Sequence, residues 1–185
     1  MFMHMLELMV APADWLNLML MPSFVDMQMD LRQLEGGPID AHSGHLRHSS
    51  GGLGDVSGTA LLRLFERPGH HLQLGLGLSA PAGDVGVKLR RNHQEEQGFL
   101  HYGMQLGSGT WDLLPSLTYS GRASRLAWGA QLSGVTRLER ENESGYALGD
   151  VLQATAWASV DLNTWLSASL RGAYTRQGEI QGRFD

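Results

Sequence analysis

The stretch Leu72-Gln73-Leu74-Gly75-Leu76-Gly77-Leu78-Ser79 alternates without a break. Successive side chains of an extended strand point to opposite faces. Leucines 72, 74, 76 and 78 therefore line one face, and Gln73, Gly75, Gly77 and Ser79 the other. One face is dry and the other is wet, which predicts a β-strand rather than an amphipathic helix. The pattern recurs downstream. Leu126, Trp128, Ala130, Leu132 and Leu138 oppose Gly129, Gln131, Ser133 and Arg137; Leu152, Ala154, Ala156, Ala158 and Val160 oppose Gln153, Thr155 and Ser159. From Trp165 to Thr175, Leu166, Ala168, Leu170 and Tyr174 oppose Ser167, Ser169, Arg171 and Thr175.

Four more strands are expected at about 1–9, 15–31, 55–66 and 110–121. In the second of these Val25, Met27, Met29 and Leu31 share a face opposite Asp26, Gln28, Asp30 and Arg32, although Leu16, Leu18 and Leu20 fall on the nominally polar side. Pro115 lacks the N–H of a ladder bond and marks either a bulge or a weakened strand. Short turns at 11–14, 67–70, 121–124 and 161–164 alternate with long polar links near 33–54, 81–109 and 139–145. Transmembrane β-barrels sort their connections this way, with short turns at one rim and long loops at the other. The expected fold is all-β: an antiparallel up-and-down meander of about eight strands, either a closed transmembrane barrel or a section of a larger one.

Composition agrees. Of 185 residues 24 are glycine, about twice the average frequency, and charged residues make up 18% against about 25% in soluble domains. The formal charge of −5 offers no basic surface for nucleic acid. With no cysteine, disulfides, thiolate metal sites and cysteine nucleophiles are excluded. Residues 1–9 lack the basic start of an export signal. The end, Gly182-Arg183-Phe184-Asp185, is unlike a terminal strand, so the expectation is an internal section of a longer chain.

Aromatic residues cluster at two levels. Trp15, Tyr119, Trp128, Trp157 and Trp165 lie near short turns, and Trp111, Tyr146 and Tyr174 toward the long loops. Two such levels flanking a Leu/Ala/Gly band match interfacial girdles. Trp157 departs by pointing to the polar face. Charges at membrane depth are tolerated toward a lumen, and parity turns Asp26, Asp30, Arg32, Asp55, Arg63, Asp112, Arg137 and Arg171 inward. There they either line a passage or brace the interior with ion pairs.

The run Met104-Gln105-Leu106-Gly107-Ser108-Gly109-Thr110-Trp111-Asp112-Leu113-Leu114-Pro115, followed by Leu117-Thr118-Tyr119, resembles a signature of an outer-membrane transporter-like barrel family. That family is named for the meta-cleavage pathway of phenol degradation and is distantly similar to channels for fatty acids and aromatic hydrocarbons. Gly54-Asp55-Val56, the stretch 71–83, Trp128-Gly129-Ala130-Gln131, Gly145 to Asp150 and Trp165 to Arg171 extend the resemblance in order; the link 82–101 departs from it. The resemblance implies the middle of a longer outer-membrane barrel, in contact with lipid. It implies passive passage of small hydrophobic or aromatic solutes through a lumen gated by long loops, with no cofactor.

Two other classes stay open. Met1, Met3, His4 and Met5 are soft and imidazole donors suited to Cu(I), so a metal-handling outer-membrane protein is one; methionines at period two serve equally as flexible packing. His42, His45 and His48 sit among serines and glycines as a solvated loop does. A soluble β-sandwich binding module is the other class. An acid/base pair of Asp26 and Asp112 has no nucleophile motif or positioned histidine beside it, so no enzyme is expected. Gly75-x-Gly77 precedes no helix and is not a phosphate loop.

Overall fold

A computed structural model describes residues 2–31, 46–91, 94–99 and 102–182. Thirteen strands appear in chain order: β1 (Phe2–Met5), β2 (Leu8–Ala13), β3 (Leu16–Leu31), β4 (Leu46–Arg67), β5 (His70–Ala80), β6 (Lys88–Arg91), β7 (Gln94–Phe99), β8 (Asp112–Ala123), β9 (Leu126–Arg137), β10 (Tyr146–Ala147), β11 (Val151–Asp161), β12 (Ser167–Gln177) and β13 (Gln181–Gly182). The protein is 70% strand, and the described residues hold no α-helix; a 3₁₀ turn spans Tyr102–Met104. The main sheet is an antiparallel meander curled into a half-barrel, in the order β1/β2, β3, β4, β5, β8, β9, β11, β12. β1 and β2 are two halves of one edge strand, both paired to β3 and parted at Leu6 and Glu7.

Register sorts the side chains as the alternation requires. On the convex face Leu16, Leu62, Leu74, Leu117, Leu132, Ala154 and Tyr174 form one row across seven strands. A second row runs Leu20, Gly58, Leu78, Leu113 and Thr136. On the concave face the matching row is Asn17, Leu61, Gly75, Ser116, Ser133, Gln153 and Thr175. Among the described residues no second sheet stacks on the leucine rows, as a β-sandwich would require. Closure of these eight strands on themselves is also excluded, because β12 and β1/β2 end the sheet order without pairing to each other.

Several expected boundaries move. The turn expected at 11–14 sits at Asp14 and Trp15, since Ala13 pairs with Leu16. Pro12 stays within β2, where a register shift between Val10 and Ala13 and an edge position make its missing N–H harmless. Pro115 marks no bulge: β8 keeps one register with β9 on both sides of it and skips the pairs at Leu114 and Pro115. β4 begins at Leu46, well inside the expected loop, and β6 and β7 form a separate two-stranded sheet in the second one.

β3 explains its own irregular pattern. Its even residues Leu16, Leu18, Leu20, Pro22 and Phe24 face outward, and so do Asp26 and Gln28 beyond them; Val25 and Met27 face inward. The outer surface changes from apolar to polar along an unbroken strand. Leu16 to Phe24 spans about 27 Å of strand. Beyond Phe24 the two faces of the strand exchange polarity.

Candidate functional site

The concave face is covered at its long-loop end by the segment Tyr102 to Trp111, and the anchor is Asp55. Between Pro22–Val56 and Phe24–Leu53 the β3–β4 register slips by one residue. A bulge places two residues of one strand opposite one of the other and re-aims their side chains. Gly54 and Asp55 occupy it, and both face inward. Asp55 Oδ1 accepts from the Gly83 N–H (3.1 Å), and Oδ2 accepts from the Ser108 N–H (2.7 Å).

Asp112 lies on the same face, 3% exposed, level with Ser79 and Arg137. Its Oδ1 accepts from the Thr110 hydroxyl (2.7 Å), and its Oδ2 takes an ion pair from Arg137 Nη1. Ser108 Oγ stands 2.9 Å from Asp55 Oδ2 and 2.9 Å from Asp112 Oδ2. One hydroxyl thus bridges two carboxylates on non-adjacent strands, β4 and β8. Gly107 makes the approach possible, because a Cβ there would lie 2.2 Å from Asp55 Oδ1. Gly109 turns the chain with a φ of +70°, a conformation L side chains rarely adopt.

The rest of the segment is tied on all sides. Ser50 donates to the Met104 carbonyl (2.8 Å), and the Leu106 N–H donates to the Asp84 carbonyl (2.9 Å). Leu106 packs with Val25 and Met27 into a small apolar cluster, partly covered by Val87. Asn142 Nδ2 donates to the Ser108 carbonyl (3.0 Å), and Ser144 donates to the Val85 carbonyl (3.0 Å). Tyr146 is fully buried, edge-on to Tyr102 at 4.6 Å between ring centres.

Burial pushes the Tyr146 hydroxyl above the ordinary tyrosine value, aided by Tyr102 and Asp55 and opposed by its hydrogen bond with Asn142. A proton held more tightly folded than unfolded stabilises the protein below pH about 10; that stability is lost as pH rises through the folded value. Tyr146 is therefore expected to ionise later than an ordinary tyrosine. Following phenolate absorbance in an alkaline titration checks this: Tyr146→Phe should remove the late component, and survival of that component would refute the assignment.

The remaining inward candidates divide. Arg63 faces the concave side near the short turns, ion-paired with Glu66, which also meets His71 Nδ1 at 3.5 Å. Arg171 is on the same face, opposite Trp157, and exposed. Asp26 corrects the expectation: it shares the convex face with half-exposed Phe24 and Leu53, opposite Val25. Asp26 and Asp112 thus lie on opposite faces and form no acid/base pair. Asp30 pairs with Arg47 in register, but its side chain lies outside the described residues, as Arg32 does entirely.

Of the expected aromatic belt, Trp128, Tyr119 and Tyr174 occupy the convex face, while Trp15, Trp111 and Trp165 are exposed. His70 Nδ1 lies 2.8 Å from the Tyr119 hydroxyl, and the Trp128 ring sits edge-on to His70 at 6.1 Å. Trp157 faces inward and covers Gly129. Tyr146 belongs to the interior rather than to the long-loop level. The copper set does not converge: β1 directs Met3 and Met5 to the face opposite His4, and Met1 lies outside the described residues. His42 and His45 lie outside them too, as does the His48 side chain. Ser108, Thr110 and Asn142 were not anticipated as site residues, although the Gly-Ser-Gly-Thr run at 107–110 was in plain view.

No protein-family model and no curated protein matches the chain.

Proposed function

We propose that the chain is a section of an outer-membrane β-barrel through which small hydrophobic or aromatic solutes pass without energy input or cofactor. The observation that carries this reading is the unpartnered convex face. Leu132 is 51% exposed in the middle of a seven-strand apolar row, with Leu76, Leu78, Leu113 and Leu117 around it similarly open. Seven strands at about 4.8 Å by six residues at about 3.4 Å is roughly 700 Å² in projection, beyond the roughly 300–600 Å² of the largest patch on a soluble monomer. The accessible surface of 13275 Å² exceeds the roughly 8,800 Å² of a compact soluble chain of this mass. Hydrocarbon is the solvent that stabilises such a surface. The concave face carries the opposite chemistry, with serine, threonine and glutamine rows and paired charges suited to a water-filled or plugged interior.

The test uses the full chain, extracted in detergent and reconstituted into phospholipid vesicles. Unboiled samples are expected to migrate differently from boiled ones on a denaturing gel, and the vesicles to release entrapped indole faster than protein-free vesicles. A monodisperse monomer in detergent-free buffer would overturn the reading.

A further inference from the structure

We infer that Asp55 is a latch: it holds the segment 102–111 across the concave face, and releasing it widens the passage. Three independent features meet at this one side chain. The bulge at Gly54–Asp55 interrupts an otherwise regular ladder, and its effect is to bring a carboxylate inward beside the covering segment. Both carboxylate oxygens are used on that cover and its approach, by the Gly83 N–H, the Ser108 N–H and the Ser108 hydroxyl. Hydrogen bonds to an ionised acceptor are about twice as strong as neutral ones. Finally, Gly83 and Gly107 are in backbone contact at the same point: a Cβ on Gly83 would lie 2.7 Å from the Gly107 nitrogen. The segment is fitted to the wall, not draped over it.

The bonds around Ser108 make the latch releasable. Its hydroxyl has one hydrogen and three acceptors in reach, Asp55 Oδ2, Asp112 Oδ2 and the Thr110 carbonyl at 2.9, 2.9 and 3.1 Å. It serves one at a time, so the two carboxylates compete for it. Arg137 sits on Asp112, leaving Asp55 to bind the cover through hydrogen bonds alone. Asp112 also holds Thr110, but from within the same stretch of chain; Asp55 reaches Ser108 from 53 residues away and fixes the cover to a different strand. Asp55 is thus the charged group that fixes the middle of the cover to β4, beside the neutral ties from Ser50, Asp84 and Asn142. As a statement about solute passage this rests on the transport reading above; as a statement about the segment it does not.

The chain has no cysteine, so Met104→Cys, at a site within the cover that is 5% exposed, makes a single-thiol reporter. Ser50 contacts Met104 through its backbone carbonyl, which the substitution keeps. In vesicles, a membrane-impermeant maleimide should label this thiol slowly. Adding Asp55→Ala should speed labelling about tenfold or more, and Ser108→Ala, which spares the bulge, about three- to fivefold. Indole release should rise in the same order. Unchanged labelling in both variants would overturn the latch, and faster labelling with unchanged release would overturn its role in passage. Faster labelling with no release from any form would uphold the latch and count against transport, so the two ideas fail separately.

Discussion

Arg137→Met is expected to lower the stability of the protein by about 3 kcal/mol, because it leaves Asp112 buried without its countercharge. Asp112 is 3% exposed, and its remaining donors, the Thr110 and Ser108 hydroxyls, are neutral. Two effects oppose one another at this pair. Desolvation of both ions is costly, and their attraction in the low-dielectric interior roughly offsets it. Removing one ion keeps the other's desolvation and deletes the attraction. Removing both should restore most of the loss, so Arg137→Met with Asp112→Leu is expected to be more stable than Arg137→Met alone. Urea unfolding of the four forms in one detergent closes the cycle. Additive single effects would show that the pair does not interact.

The strand pattern was legible wherever a strand stays within one environment. β5, β9 and β11 read correctly because leucine or alanine mostly faces outward and small or polar residues mostly face inward, Trp157 being the large exception. β3 misleads because it does not stay. Its residues alternate between the faces without a break, but the faces exchange polarity at Phe24, and parity referred to apolar character then assigns Asp26 to the wrong side. A parity count fixed on Leu16 to Leu20 would have placed it outward.

The start of β4 was hidden for a different reason. Gly51, Gly52 and Gly54 have the composition of a loop, yet two of them are small because the covering segment lies on them: a Cβ on Gly52 would meet Leu106 Cδ1 at 2.9 Å, and one on Gly54 would meet the Leu106 carbonyl at 3.1 Å. That demand comes from a segment more than fifty residues away, and no local pattern carries it. Asp55 and Asp112 could be read as inward; that Ser108 bridges them could not. Parity reports the face of a strand residue, but not which loop folds back to meet it.

Leu132→Arg is expected to destabilise the protein by about 2–4 kcal/mol in a lipid bilayer, the cost of a cation on the lipid face of a barrel at mid-depth. Gln131→Arg, one residue along β9, should cost far less, since Gln131 is on the concave face and donates to Thr118 at 3.0 Å. The contrast discriminates because water gives the opposite answer. Leu132 is half exposed, with its side chain open to the surroundings. In aqueous solution an arginine there would change stability by no more than about 0.5 kcal/mol, or improve solubility. Exposure alone is neutral about the solvent, and the free energy of one charge decides what that solvent is. Unfolding measured in vesicles of both variants should give a large penalty at position 132 and a small one at 131. Equal penalties would mean that the leucine rows do not face hydrocarbon, and the transport reading would lose its physical basis.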